Sequence, residues 1–220
     1  MNEREYSEAE GIRRSDLWEI ADSPEKFKYA QDHPDEDTQS PALIFGQAAH
    51  KMLLEPMEFM DEFAIAPEGI DRRTKAGKEE YAKFLEQSAG KTILDMDTYL
   101  TIRKMVDKAL SEPMVIRLLG GRREVPFFWT DPDTGVKCKV KVDCLAFPDG
   151  TDSPVVVDYK TTTDARNHAF RNDAARYGYY LQAYMYTEGV MQALKLKERP
   201  GFKFIVQEKK PPFAVNCINV

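Results

Sequence analysis

The stretch Val155-Val156-Val157-Asp158-Tyr159-Lys160 decides the fold prediction, because an apolar strand ends there in Asp-x-Lys. Strand side chains alternate between faces, so Asp158 and Lys160 share one face and Tyr159 points to the other. A carboxylate can hold a divalent metal ion, and a neighbouring lysine can steer an attacking water molecule. The stretch therefore predicts a metal and phosphate site at the end of a strand.

A second strand, predicted over about 136–147, precedes this stretch and carries Asp143. Its even positions from Val136 to Ala146 are apolar, which is the period-two pattern of a half-buried strand. The other face carries Lys137, Lys139, Lys141 and Asp143. The lysines form either a track for a polyanion or a solvated strand edge that discourages pairing with another edge. Asp143 has a natural partner in Asp158 on the neighbouring strand.

Asp143 and Asp158-Tyr159-Lys160 together resemble the core signature of the PD-(D/E)XK nuclease superfamily, with Asp in both acidic places. Gly46-x-x-x-His50 is similar to the upstream motif of RecB-type nucleases, and Gln182-x-x-x-Tyr186 is similar to their downstream helical motif. Two further segments resemble the RecE group, the exonuclease VIII family of phage and prophage: Ile70 to Lys78, and Asp158 to Thr162. The resemblance extends from about Ser15 to Phe213.

The resemblance implies a role for each motif residue. One or two Mg²⁺ ions, with Mn²⁺ as a substitute, are expected on His50, Asp143, Asp158 and the backbone carbonyl of Tyr159. Lys160 is expected to orient the attacking water. A neutral imidazole can complete a metal shell of carboxylates, although a lone helical histidine is more often structural.

Three further residues receive supporting roles from the same resemblance. Gln182 is expected to support the active site, and Tyr186 to stack or hydrogen-bond beside DNA. Glu124 is either an outer acid of the metal site or only an ion-pair partner of Arg122 or Arg123. In the helix that carries Gln182, the positions that equally fit a core stripe are Tyr180, Ala183, Tyr184, Thr187 and Met191.

Length and composition favour one α/β domain, and the resemblance implies a mixed central β-sheet flanked by helices. The chain has 220 residues, of which 42% are hydrophobic and 31% charged. We expect a single PD-(D/E)XK domain over 1–220, with a helical segment at about 1–58 that contributes His50. The 3 cysteines exclude a four-cysteine metal site. No apolar run approaches the roughly 20 residues that span a bilayer, so no membrane partner and a cytoplasmic location in a bacterial host are expected.

The net charge of −6 and the pI near 5.3 are unusual for a DNA-binding protein, which normally needs a basic surface. A local patch can overcome this repulsion. The candidates are the basic loop, defined here as Arg72, Arg73, Lys75 and Lys78, and the lysines of the Asp143 strand. Arg13 and Arg14 are further candidates. The acidic surplus includes Asp32 to Asp37, which is typical of a solvated loop.

The element pattern predicts helices at about 15–20, from Pro24, and over 41–54, 76–87, 97–110, 164–172 and 175–194. Strands are predicted at about 62–66, 123–130, 136–147, 154–160, 202–207 and 214–219.

The expected activity is Mg²⁺-dependent degradation of one strand of duplex DNA from an end, in the 5′ to 3′ sense. The resemblance also implies a phage or prophage origin, a RecT-like annealing partner for the single strand produced, and a homo-oligomeric ring. An endonuclease or a single-strand-specific nuclease would keep the same site residues. A non-catalytic DNA-end-binding protein is the alternative that the acidic pI favours.

Overall fold

The computed structural model describes residues 1, 3–33, 40–148 and 153–220. The chain divides into two compact units: Met1–Thr38 with Glu112–Val220, called here the sheet unit, and Gln39–Ser111, called the helical unit. The predicted acidic loop lies outside the described residues from Pro34 onward. Among the described residues, no helix combines the length and the apolar character that a bilayer crossing requires.

The helices of the described residues are α1 (Glu3–Glu8), α2 (Arg14–Asp22), α3 (Pro24–Asp32), α4 (Pro41–Leu54), α5 (Phe59–Glu62), α6 (Lys75–Gln87), α7 (Met96–Leu110), α8 (Pro113–Leu118), α9 (Asn167–Arg176) and α10 (Tyr179–Leu194). The strands are β1 (Phe63–Ile65), β2 (Thr92–Leu94), β3 (Arg122–Thr130), β4 (Lys137–Ala146), β5 (Val155–Thr162), β6 (Gly201–Glu208) and β7 (Val215–Asn219).

Local capping explains why several predicted helices begin where they do. The Ser40 hydroxyl accepts a hydrogen bond from the Leu43 amide, and Pro41 occupies the first turn of α4. Ser23 caps α3 in the same way through the Lys26 amide. These signals lie within a few residues of one another, so the sequence alone carries them.

The sheet unit is built on a five-stranded mixed sheet in the order β3-β4-β5-β6-β7. Only β5 and β6 are parallel, and the others pair antiparallel. A parallel pair needs a long crossover, which α9 and α10 provide. This mixed α/β architecture with flanking helices confirms the predicted fold class.

The strands β4 and β5 pair over only three residues, from Cys144 opposite Val157 to Ala146 opposite Val155. Beyond that point β4 continues beside β3, while β5 continues beside β6 to Thr162. The N-terminal segment fills part of the gap. Ile12 forms a parallel bridge with Cys138, in which its amide donates to the Lys137 carbonyl at 2.8 Å. The edge of β4 is thereby covered where β5 leaves it.

The break between α9 and α10 falls at Gly178, three residues later than the predicted start of the second helix at Ala175. Gly178 has a φ of 63°, in the left-handed region that favours glycine. A Cβ at this position would overlap the Trp18 ring of α2. The glycine therefore permits both the turn and the close approach of α2.

The helical unit contains the parallel pair of β1 and β2, and α4 packs against α7. Its interior is apolar, with Ala49, Leu53, Ile102, Met105 and Ala109 all buried. Between α4 and α5, the ammonium group of Lys51 pairs with Glu55, Glu58 and Glu62 at 2.8, 3.3 and 2.7 Å. The sequence did not predict β2 or the short helices α1, α5 and α8.

Candidate active site

Three carboxylates follow the register of the sheet across three strands. Glu124 lies between the paired residues Arg123–Cys144 and Val125–Val142, so it faces Asp143. Continuing the register past Cys144 and Val157 places Asp143 opposite Asp158. The carboxylate oxygens of Glu124 and Asp143 lie within 4.8 Å of each other. The acids therefore gather at the point where β4 and β5 part.

Asp143 is fixed by the backbone of β5. Its Oδ2 accepts a hydrogen bond from the Tyr159 amide at 2.7 Å. That amide lies beyond the last residue pair of β4 and β5, so a side-chain carboxylate takes the place of a strand partner. The bond also ties Asp143 to the peptide unit between Asp158 and Tyr159.

Asp158 is the most buried of the acids, with 1% of its surface exposed. Its Oδ1 accepts a hydrogen bond from the Gln182 side-chain amide on α10, and its Oδ2 lies 2.5 Å from the Lys160 ammonium group. A buried carboxylate needs such partners, because burial without them is costly. Asp158 and Lys160 thus share one face of β5, as the alternation of the strand predicts.

The Lys160 ammonium group stays charged in this site. Burial alone would lower the pKa of Lys160, but the nearby Asp158 and Asp143 outweigh burial and raise it. The ammonium group also lies 5.4 Å from the centre of the Tyr179 ring. Sequence reasoning did not single out Tyr179, although its position three residues before Gln182 places it on the same face of α10.

Glu124 adopts a backbone conformation that is unfavourable for its residue type, with a φ of 51°. A non-glycine residue in the left-handed region costs about 1 kcal/mol or more, and such residues concentrate at functional sites. Its carboxylate pairs with Lys141 at 2.6 Å, a partner that the sequence interpretation did not name. The sheet unit therefore contributes three acids and two lysines, Lys141 and Lys160, which leaves one negative charge.

Tyr186 lies on the same helix as Gln182 and close to the acids. Burial raises the pKa of its hydroxyl well above the usual range, and Asp158 and Asp143 raise it further, while a hydrogen bond with Gln182 opposes them. The hydroxyl therefore remains protonated and can act as a hydrogen-bond donor. On the other face of β5, the Tyr159 hydroxyl donates to the Gln207 side chain at 2.7 Å.

The lysines on one face of β4 do not form a continuous exposed row, as a track for a polyanion would require. Lys139 is only 3% exposed, and its ammonium group donates to the backbone carbonyls of Tyr6, Ser7 and Ala9 at the end of α1. Lys137 pairs with Glu10 at 2.6 Å and remains exposed. The N-terminal segment therefore covers Lys139 but not Lys137, and Lys139 cannot offer its charge to DNA.

The remaining predicted residues belong to the helical unit. His50 lies half-buried on α4. In the basic loop, the Arg73 side chain is exposed and pairs with Asp71 at 2.9 Å, and the Arg72 guanidinium lies 4.7 Å from the centre of the Tyr81 ring. Lys75 and Lys78 are exposed. The loop thus presents cationic side chains to solvent.

Comparisons with known proteins agree with this architecture. The crystal structure of a "Putative exonuclease" from Eubacterium rectale is similar with a TM-score of 0.62 and 14% identity, covering 100% of this chain and 77% of that one. A second solved structure, that of SSO0001, gives a TM-score of 0.29 at 13% identity and covers 79% of this chain and 76% of that one, a likeness too low to carry an argument. A search of curated proteins found no match.

At this level of identity the likeness to the first structure shows a shared fold and no more. The family assignment comes from the sequence. Residues 14–220 match the family described as "PDDEXK-like domain of unknown function (DUF3799)". Because this match spans nearly the whole chain, including the site acids Glu124, Asp143 and Asp158, the protein belongs to that PDDEXK-like family.

Proposed function

We propose that the protein is a divalent-metal-dependent exodeoxyribonuclease that degrades one strand of duplex DNA from an end, in the 5′ to 3′ direction. The observation that carries the proposal is the arrangement of Asp143, Asp158 and Lys160, in which two buried acids and one charged lysine meet where β4 and β5 part. Membership of the PDDEXK-like family supports the assignment as a nuclease.

The donor set suits a hard divalent cation. Glu124, Asp143 and Asp158 supply carboxylate oxygens, and two lysines leave one of their three negative charges unbalanced. Oxygen-rich, negatively charged sites favour Mg²⁺ or Mn²⁺ over softer metals. Asp143, Asp158 and the Tyr159 carbonyl would hold one or two such ions, and His50 would complete the shell.

A bound cation would supply polarisation of the scissile phosphate and would lower the pKa of the attacking water. The protein supplies positioning and charge. Lys160 would orient the water and offset negative charge that develops on the phosphate. The Tyr159 amide and Gln182 would hold Asp143 and Asp158 in place, so that neither carboxylate must reorganise during the reaction.

The substrate, the assembly and the partner follow from the resemblance to the RecE group. Ends of duplex DNA would be the substrate, and a homo-oligomeric ring would keep the enzyme attached while it digests. The remaining single strand would pass to a RecT-like annealing protein in phage-type recombination. The basic loop, with Lys137 and Lys141, would provide local attraction for phosphate against the overall negative charge.

The proposal is tested by digestion of a linear duplex labelled at its 5′ or its 3′ end, with and without Mg²⁺. Metal-dependent release of the 5′ label from linear DNA, abolished in Lys160→Ala, is the expected result. Lys26→Ala is the matched control, because Lys26 also pairs with an aspartate but does so at the surface.

Other outcomes separate the alternatives. Cleavage of a circular duplex would move the protein to the endonucleases, and cleavage confined to single strands would indicate a single-strand-specific nuclease. DNA binding without cleavage in Mg²⁺ or Mn²⁺ would contradict the catalytic proposal and favour a DNA-end-binding protein.

A further inference from the structure

Three tyrosines are exposed within eight residues around the start of α10. The exposed fractions of Tyr177, Tyr180 and Tyr184 are 45%, 62% and 60%. Tyr180 and Tyr184 belong to the set that also fitted a core stripe, but they face solvent while Ala183 and Thr187 of that set are buried. Clustered exposed aromatic residues mark a binding surface more often than scattered ones do.

The tyrosine cluster is connected to the candidate active site by ring contacts. The Lys160 ammonium group lies 5.4 Å from the centre of the Tyr179 ring, and that ring centre lies 5.8 Å from the centre of the Tyr177 ring. The guanidinium group of Arg176 lies 5.4 Å from the Tyr177 ring centre. A line of rings thus leads from the proposed catalytic lysine to the surface of the sheet unit.

A second set of contacts extends this line across α2. The Trp18 and Tyr180 rings meet edge to face with their centres 6.3 Å apart, and the Arg14 guanidinium lies 5.6 Å from the Trp18 ring centre. Arg14 also donates a hydrogen bond to the Tyr177 carbonyl. The contact with Trp18 depends on Gly178, where any side chain would overlap the indole ring.

We propose that this aromatic track, defined as Arg14, Trp18, Arg176, Tyr177 and Tyr180, binds single-stranded DNA that leads to or from the active site. The inference rests on the proposed function and extends it with a surface path along which one DNA strand would run. Bases would stack on the exposed rings, and the two guanidinium groups would contact phosphates. Interleaved aromatic and cationic side chains are typical of surfaces that bind single strands without sequence preference.

The positive charge of the aromatic track favours nucleic acid as its binding partner over a second copy of this acidic chain. Among the described residues, neither Arg14 nor Arg176 has an ion-pair partner, whereas the nearby acids Asp16 and Glu188 already pair with Arg13 and Arg199. Arg199 covers the Tyr184 ring at 4.5 Å while it is neutralised by Glu188, so Tyr184 is left out of the track. The free guanidinium charge would therefore attract a polyanion.

The test measures binding of a fluorescein-labelled oligothymidine of about 16 nucleotides, a length within the range one such groove covers. The protein carries Lys160→Ala so that the strand is not cut, and anisotropy is recorded without added metal. Tyr177→Ala and Tyr180→Ala are each expected to weaken binding about 5- to 150-fold, the usual range for loss of one stacked base. Tyr180→Phe keeps the ring and is expected to bind like its parent.

Tyr29→Ala is the matched control, because Tyr29 is 65% exposed on α3 and, of the rings in the described ranges, its own stacks only on His33. Thermal unfolding of each variant by circular dichroism checks that the fold is kept. Unchanged binding in both Tyr177→Ala and Tyr180→Ala would overturn the track, whether or not the wild type digests duplex DNA. A change of molar mass in solution without a change in DNA binding would also overturn it, and would identify an interface between copies.

Discussion

Asp158 shows how single residues of the site depend on one another. Its carboxylate is almost fully buried and is balanced on one side by the Lys160 ammonium group and on the other by the Gln182 amide. Removing either partner would leave a buried charge with fewer hydrogen bonds, which costs free energy and allows the carboxylate to turn. Gln182 is therefore a positioning residue for a proposed metal ligand.

Gln182→Ala is expected to lower the rate of DNA cleavage roughly 10- to 100-fold, as is common when a partner of a metal ligand is removed. Because the effect acts through Asp158, the Mg²⁺ concentration needed for half-maximal cleavage should rise as well. Single-turnover cleavage measured across Mg²⁺ concentrations tests both effects.

Gln192→Ala provides the matched control for this variant, since Gln192 lies on the same helix and, within the part of the chain that the structure describes, its side chain bonds only Glu188 at 2.7 Å. A lower rate in Gln182→Ala with no change in its Mg²⁺ dependence would contradict the positioning role.

At the scale of elements, a single side chain fastens α1 to the sheet. Lys139 points from β4 into the carbonyl end of this six-residue helix, and the Tyr6 ring lies 5.1 Å from its ammonium group. A helix this short is not stable alone, because the cost of its first turn is not recovered. Its place beside the sheet therefore depends on Lys139 and on the Ile12 bridge.

Lys139→Met is expected to destabilise the protein by about 1–3 kcal/mol, since three backbone carbonyls, one of them on the buried Tyr6, lose their donor. Chemical denaturation measures the loss, and hydrogen exchange should show faster exchange over residues 3–12. Lys137→Met on the exposed side of the same strand should change the free energy of unfolding by less than about 0.5 kcal/mol. Equal effects of the two substitutions would contradict the fastening role.

A second charged cluster joins α4 to α5 within the helical unit. Burial alone would lower the pKa of Lys51, but hydrogen bonds to Glu55 and Glu62 more than offset burial and raise it. A lysine whose pKa is raised on folding stabilises the protein fully below its unfolded value near 10.5, and this contribution is lost as the pH rises through the folded value. At neutral pH the contribution is therefore complete.

Lys51→Met should lower the free energy of unfolding by about 1–2 kcal/mol at pH 7. The expected loss is no larger because the partner glutamates are partly exposed to solvent. The difference between the variant and the wild type should persist up to the unfolded value near pH 10.5 and shrink above it, as Lys51 loses its proton. Urea denaturation of both proteins at several pH values tests this. A difference that stays constant as the pH is raised past that value would show that packing of the lysine stem, and not its charge, is responsible.

Elements whose signals are local were predicted from the sequence, and contacts between distant segments were not. The alternation around Asp158 and the cap at Ser40 lie within a few residues, so the β5 site and α4 could be inferred. The burial of Lys139 depends on a segment about 130 residues away, and no periodicity in β4 reports it. Tyr180 could not be assigned to core or surface, because its exposure depends on where α2 packs.

At the scale of the whole molecule, a net charge of −6 must be reconciled with a polyanionic substrate. The sheet unit offers Lys141, Lys160 and the guanidinium groups of the aromatic track, and the helical unit offers the basic loop. Short-range attraction from such patches is strongest at low salt, because the Debye length falls to about 8 Å at physiological ionic strength. Binding of duplex DNA should therefore be unusually sensitive to salt for a protein of this charge.

Lys78→Ala is expected to weaken binding to duplex DNA of any base sequence. It is also expected to reduce the slope of log affinity against log salt concentration by about 1. Titrations at four or five salt concentrations measure the slope, and Lys26→Ala serves as the exposed-lysine control. An unchanged slope in Lys78→Ala would remove the basic loop from the proposed DNA surface.

The hydrogen bond from the Tyr159 amide to Asp143 gives the site a natural spectroscopic probe. Amide proton shifts respond strongly to the charge of the group that accepts the bond, and this amide donates to a carboxylate instead of a peptide carbonyl. When the 10 tyrosines are labelled with ¹⁵N, the Tyr159 amide signal would therefore report any event that alters the charge of Asp143, such as the arrival of a cation or a phosphate. The occupancy of the site could then be followed in solution with no substrate turned over.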